Sequence, residues 1–138
     1  MAKKWCMVFG IIFLVLGVLG FIPNPLISMD GLFQVDAVHN IIHLITGLVL
    51  VYAGKKSAGG ATTALKVFGI IYLVIAILGF LMIGGGSGDL LGFIGMNGVD
   101  NWLHLILGLL LAWGGFKGGK GGMSGPSMAT PPPSQPTM

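Results

Sequence analysis

Residues 8–15 read VFGIIFLV, and residues 67–74 read VFGIIYLV, so the second stretch repeats the first at all but one position. A second pair is related in the same way: residues 40–48 read NIIHLITGL and residues 101–109 read NWLHLILGL. In hydrocarbon only a helix or a closed barrel satisfies its own backbone, and uninterrupted apolar runs favour the helix. The chain is therefore expected to contain two copies of a unit with two membrane-spanning helices.

The apolar runs around these stretches set the predicted architecture. Each run has roughly 16–19 residues, or about 24–29 Å of helix, at the short end of what crosses a bilayer core. We expect an all-α fold: a polytopic membrane protein with four transmembrane helices, arranged as two tandem helical-hairpin repeats that form a bundle. The predicted helices cover residues 5–22, 38–54, 65–83 and 101–116, with loops at 55–64 and 84–88.

These helices define the predicted domain organisation. The transmembrane domain is expected to cover residues 1–116, with repeat one at 5–54 and repeat two at 65–116. The segment 117–138 is rich in Gly, Pro and Ser and cannot bury apolar surface, so we expect a disordered cytoplasmic tail.

The composition excludes an ordinary soluble enzyme. Charged residues make up 8% of the 138 residues and hydrophobic residues 54%, whereas soluble domains carry about 25% charged residues. The mean hydropathy is +0.95. The predicted helices contain no catalytic motif that we recognise, so we expect no enzymatic activity.

The charges predict a topology. The Lys residues flank one set of helix ends and the Asp residues flank the other, and basic residues beside short loops stay cytoplasmic. We therefore expect a multi-pass protein of the cell (plasma) membrane with both termini in the cytoplasm. Its expected partners are the lipid bilayer and either further copies of itself or a larger membrane complex. No basic stripe with interleaved aromatics indicates nucleic-acid binding.

Polar and small residues recur at helical spacing. Asn40, His43 and Gly47 share one face of the second helix, and Asn101, His104 and Gly108 share the equivalent face of the fourth. Because polar groups avoid lipid and small residues allow close helix approach, we expect these faces to point into the bundle.

The first and third helices carry small residues on one face, which we expect to receive the other hairpin. Tyr72 lies on this face, and His43 and His104 are candidate partners for its hydroxyl. The predicted helix-packing residues are Gly10, Gly17, Gly20, Gly47, Gly69, Ala76, Gly79 and Gly108.

The simplest interpretation of the Asn–His pairs is structural. Asn and His side chains bond between helices and fix their register. The chain would then be a small integral membrane protein with a structural or accessory role, with no metal and no cofactor.

Two alternatives stay open. In the first, a metal or haem is ligated by His: His39 and His43 are four residues apart on one helix, and Asp36, Asp100 and His104 are further candidate ligands. Repeat two has Asp100 where repeat one has His39, which also suggests a His39–Asp100 pair across the pseudo-twofold axis that relates the two repeats. In the second, the histidines and Tyr72 serve a proton-linked channel or transporter.

The repeated motif Asn-x-x-His-Leu-x-x-Gly, each copy following a glycine-rich span that ends Leu-Gly-Phe, resembles a known bacterial family. This is the membrane family known as domain of unknown function 4383. The resemblance covers residues 8–115 and implies a membrane topology without an assigned activity. The matching residues are Asn40, His43, Leu44, Gly47, Asn101, His104, Leu105 and Gly108.

Overall fold

The computed structural model describes residues 1–118 and is mostly helical. Its four helices are each long and apolar enough to cross a membrane, which confirms the predicted fold class. The helices are α1 (Ala2–Leu19), α2 (Ala37–Lys56), α3 (Ala58–Met82) and α4 (Gly98–Gly118). Short strands lie in the two long connections: β1 (Ile27–Ser28), β2 (Phe33–Gln34), β3 (Ser87–Leu90) and β4 (Ile94–Asn97).

The connection between α2 and α3 is a single residue, Ser57, so the predicted loop at 55–64 is wrong. Ser57 has an extended backbone, and its hydroxyl accepts a hydrogen bond from Gly60 N at 3.0 Å. This cap satisfies one of the free N–H groups at the start of α3, so the second helix can begin at once.

The strands form two separate ladders that the apolar pattern did not predict. β1 pairs with β2 in parallel, and β3 pairs with β4 antiparallel. The glycine segment predicted as a loop at 84–88 therefore runs into β3. At the other end of repeat two, α4 extends to Gly118, past the predicted start of the tail. The rest of that predicted tail lies outside the described residues.

The glycine seams join the two helices within each hairpin. A Cβ on Gly47 would lie 2.8 Å from Gly10 O on α1, and a Cβ on Gly108 would lie 2.8 Å from Leu73 N on α3. Gly69 faces Ala112 in the same way. The expectation that these seams receive the other hairpin is therefore wrong. The spacing of small residues shows that a helix can approach closely, but it does not determine which helix approaches.

The two hairpins meet through larger side chains. The rings of Phe13 on α1 and Tyr72 on α3 pack with centroids 4.9 Å apart, and those of Trp5 and Trp113 pack at 5.0 Å. Ala76, predicted to pack, is fully buried. The outward faces carry exposed apolar residues such as Val15 on α1, which indicates contact with a lipid bilayer.

The molecule has two chemically different ends. We call the end that carries β1–β4 the strand end, and the opposite one the lysine end. The strand end carries Asp30, Asp36, Asp89 and Asp100, and the lysine end carries Lys3, Lys4, Lys55, Lys56, Lys66 and Lys117.

Candidate metal site

Three buried histidines converge below the strand end. His39 and His43 lie one turn apart on α2, and His104 lies on α4 of the other hairpin. Their exposed fractions are 3%, 4% and 2%. One ring nitrogen from each lies within 4.8 Å of the other two. We call these three residues the histidine cluster.

The ring of His39 is oriented by β4. Its Nδ1 lies 2.8 Å from the carbonyl oxygen of Gly95, so a proton on Nδ1 donates to that oxygen. This bond favours the tautomer with the proton on Nδ1 and the lone pair on Nε2. A histidine that binds a metal through one nitrogen commonly donates its other N–H to a backbone carbonyl. The bond to Gly95 is therefore of the kind that a metal-binding histidine makes.

Gly95 is itself held in place by Asp36, the residue that caps α2. One carboxylate oxygen of Asp36 accepts from His39 N at 2.7 Å, and the other accepts from Gly95 N at 2.9 Å. Both polar backbone groups of Gly95 are thus bonded to α2 or to its cap. The strand is consequently fixed against the first turn of the helix.

Several buried nitrogens of the cluster have no hydrogen-bond partner among the described residues. These are Nδ1 and Nε2 of His43 and Nδ1 of His104. An unsatisfied buried polar group costs about 1–3 kcal/mol. A bound metal ion would take a lone pair from each ring and give these histidines a partner.

The space beside the cluster fits one small ion or water. The cavity has a volume of about 20 Å³. A site of this volume holds roughly one water, whereas organic ligands occupy about 300–1,000 Å³. The geometry therefore favours a bare ion over haem. Its lining residues are His39, Ile42, His43, Tyr72, Ile75, Ile94, Met96 and His104.

The nitrogens need only a small movement to bind one ion. A tetrahedral metal with bonds of about 2.0–2.1 Å holds its nitrogens roughly 3.3 Å apart. The cluster's nitrogens lie within 4.8 Å of one another. Binding of one ion would therefore draw them together by at most about 1.5 Å.

The carboxylates that the sequence suggested as ligands bond to backbone groups instead. Asp100 Oδ2 accepts from Gln34 N at 3.0 Å and from Asn97 N at 2.8 Å. Asp36 is occupied by His39 N and Gly95 N. The suggested His39–Asp100 pair is replaced by bonds from each residue to the strand of the opposite hairpin. Asp100 does line a second small cavity, of about 10 Å³, with His43 and His104.

The asparagines of the predicted polar pairs are separated from the histidines. Asn40 packs against Gly20 at the end of α1, and Asn101 packs against Gly79 on α3. Asn101 Nδ2 donates to Gly84 O at 2.9 Å, which satisfies a carbonyl near the end of α3. The asparagines therefore join helices within a hairpin, while the histidines face the middle of the molecule.

Tyr72 contacts the cluster through its ring and not its hydroxyl. The hydroxyl donates to Thr46 Oγ1 at 3.4 Å, instead of to His43 or His104 as the sequence suggested. The ring centroid lies 5.4 Å from that of His104. Tyr72 thus forms a wall of the cavity.

Sequence reasoning missed three residues of the site: Thr46, Gly95 and Met96. Thr46 lies on the same face of α2 as His39 and His43, so its helical spacing could have identified it. Gly95 and Met96 lie on β4, whose position over the cluster follows from strand pairing and not from helical periodicity. No local signal marks them.

A comparison with known proteins places this arrangement in a family. The chain matches the family model described as Domain of unknown function (DUF4383) over residues 3–117. No curated protein and no solved structure matches it. The matched segment includes both hairpins and the whole histidine cluster. The family match also agrees with the resemblance carried by the repeated Asn-x-x-His motif. The chain therefore belongs to the DUF4383 family.

Proposed function

We propose that this protein is a multi-pass membrane protein that binds one transition-metal ion at His39, His43 and His104. The observation that carries the proposal is the convergence of three buried ring nitrogens within 4.8 Å. Two of the rings have buried nitrogens without partners, and the third is oriented by Gly95 O. Such a set is what a metal ion needs and what a packed apolar core avoids.

The donor type sets the class of metal. Imidazole nitrogen suits zinc, copper, nickel and iron, whereas Mg²⁺ and Ca²⁺ prefer oxygen. The three rings leave one position of a tetrahedral ion for a further ligand. The bound ion would bridge α2 of one hairpin and α4 of the other, so it would stabilise the association of the two repeats.

The proposed metal site is consistent with the structural or accessory role that the sequence favoured. An ion that bridges the hairpins is a structural element, and the proposal includes no catalytic step. A proton-linked channel would need a continuous chain of waters. Each of the two described cavities beside the cluster admits about one water, with volumes of about 20 and 10 Å³. These volumes favour a bound ion over a channel.

We also propose the orientation in the membrane. The lysine end faces the cytoplasm of the cell, because Lys residues in short loops stay inside. The strand end, with the histidine cluster just below it, then faces the outside. On this orientation, the metal would enter from the outer side of the plasma membrane.

The proposal is tested with the full chain, purified in mild detergent and stripped of metal by a chelator. Equilibrium dialysis against Zn(II) is expected to load about one ion per chain, and saturating Zn(II) is expected to raise the unfolding temperature. The double variant His43→Leu/His104→Leu is expected to lose both effects. Ile45→Leu, on the exposed outward face of α2, is the control and should retain them.

The same experiment separates ligation from a purely structural role. Since the histidines carry unpartnered nitrogens, leucine at these positions should leave the metal-free protein as stable as the wild type. Zn(II) loading by the double variant equal to that of the wild type would overturn the proposal. So would a wild-type chain that binds no Zn(II), Cu(I) or Ni(II).

A further inference from the structure

We infer that the site selects Cu(I), with the thioether sulfur of Met96 as the fourth ligand. This inference rests on the proposed function and adds the identity of the metal. Met96 is fully buried, with an exposed fraction of 0%. It lines the same cavity as His39, His43 and His104.

The backbone positions Met96 firmly beside the cluster. Its neighbour Gly95 donates to Asp36 through N–H and accepts from His39 through C=O. At the other side, Asn97 N donates to Asp100 Oδ2 at 2.8 Å. Met96 therefore lies between two residues that are each anchored to a helix that carries part of the cluster.

The other polar groups nearby make bonds to protein atoms, and neither Asp36 nor Asp100 lines this cavity. The Tyr72 hydroxyl donates to Thr46, and the carboxylates of Asp36 and Asp100 each accept from two backbone N–H groups. The remaining described lining residues, Ile42, Ile75 and Ile94, offer no donor atom. Met96 is thus the further donor that the described part of the cavity supplies.

A thioether discriminates between metals. Sulfur ligands of this kind are soft and select Cu(I), while imidazole alone also suits Zn(II) and Ni(II). The three imidazoles and the thioether are all neutral ligands, so the charge of the ion is not cancelled by its own ligands. In a buried site of low dielectric, one positive charge is less costly than two. The soft sulfur and the neutral ligand set therefore both favour the monovalent ion.

The test compares Met96→Leu with the wild type, using the full chain in detergent. Leucine has a similar volume, so the core should stay packed. Met82→Leu is the matched control, since Met82 lies at the end of α3 and is 53% exposed. Cu(I), kept reduced by ascorbate, is titrated against a chromogenic Cu(I) chelator. Zn(II) is titrated separately against a fluorescent chelator.

We expect Met96→Leu to weaken Cu(I) binding by about 10- to 100-fold, the range seen when a metal site loses a supporting partner. Zn(II) binding should change less than about threefold, and Met82→Leu should change neither. X-ray absorption of the Cu(I) form should show one sulfur neighbour per copper in the wild type and none in Met96→Leu.

The remaining outcomes separate this inference from the function on which it rests. Cu(I) bound by nitrogen alone, with an affinity that Met96→Leu leaves unchanged, would overturn the role of Met96 and leave the three-histidine site standing. A wild type that binds Zn(II) in preference to Cu(I) would do the same. A wild type that binds neither ion would overturn both.

Discussion

His39 and Asp100 hold equivalent positions in the two hairpins. Each bonds to the second strand of the opposite hairpin: His39 to β4 and Asp100 to β2. His39 Nδ1 lies 2.8 Å from Gly95 O, and Asp100 Oδ2 accepts from Gln34 N at 3.0 Å. Gln34 and Gly95 are themselves equivalent when Asn40 is aligned with Asn101. This reciprocal pair of bonds holds the strands of both hairpins over the histidine cluster.

Asp100→Ala is expected to destabilise the protein by about 1–3 kcal/mol, because it leaves the N–H groups of Gln34 and Asn97 without their acceptor. Asp89→Ala is the control, since Asp89 is exposed on β3. Unfolding in a denaturing detergent measures the stability, and hydrogen exchange should quicken at Gln34. Equal stability of the two variants would contradict the role of Asp100.

Gly79→Ala is expected to destabilise the protein by about 1–3 kcal/mol through overpacking. The added methyl would fall on Asn101 Oδ1, and Asn101 cannot turn away without breaking its bond to Gly84 O. Gly59→Ala is the matched control on the same helix, because nothing lies within 4 Å of its Cβ. It should be neutral or stabilising by about 0.4–1 kcal/mol.

The comparison of these two glycine variants in the same unfolding assay tests the packing. If Gly59→Ala proved as damaging as Gly79→Ala, the loss would come from the helix backbone itself. The account of close packing between α3 and α4 would then be wrong.

The apolar pattern predicted the helices well because hydrocarbon admits few other structures. It missed the direct connection at Ser57, since a single capping hydroxyl does not alter hydropathy. It also missed β1–β4, which are short and depend on pairing between distant residues. The seam of Gly10 and Gly47 was identified by spacing, but its partner was not, because spacing does not specify which helix approaches.

The candidate site was predictable in part. Helical periodicity placed His43 and His104 on inward faces, and the four-residue spacing brought in His39. The separation of Asn40 from His43 was not predictable, since a spacing of three residues leaves two side chains about 60° apart, which is enough for them to contact different neighbours. Met96 was missed because its place depends on how the second strand ladder folds over the cluster.

Tyr72→Phe is expected to reduce stability by less than about 1 kcal/mol, because one long hydrogen bond to Thr46 is lost from a membrane interior. The equivalent position in repeat one is Phe13, so phenylalanine fits there. Zn(II) affinity, measured by chelator competition, should stay within about twofold of the wild type. A tenfold loss would instead identify the phenol as a ligand.

The orientation is testable by cysteine labelling. Cys6 is buried and is the only cysteine, so Cys6→Ala provides a cysteine-free background. In intact cells, a membrane-impermeant maleimide should label Asp89→Cys at the strand end. It should label Gly59→Cys at the lysine end only after the membrane is permeabilised. The reverse pattern would place the termini outside.

The proposed metal ion lies between α2 and α4. Anomalous diffraction at the zinc edge, from crystals of the full chain grown with Zn(II), would locate it. We expect one strong peak within about 2.0–2.1 Å of a nitrogen of each of His39, His43 and His104. A well-ordered histidine cluster with no peak, or a peak confined to residues outside it, would overturn the proposed site.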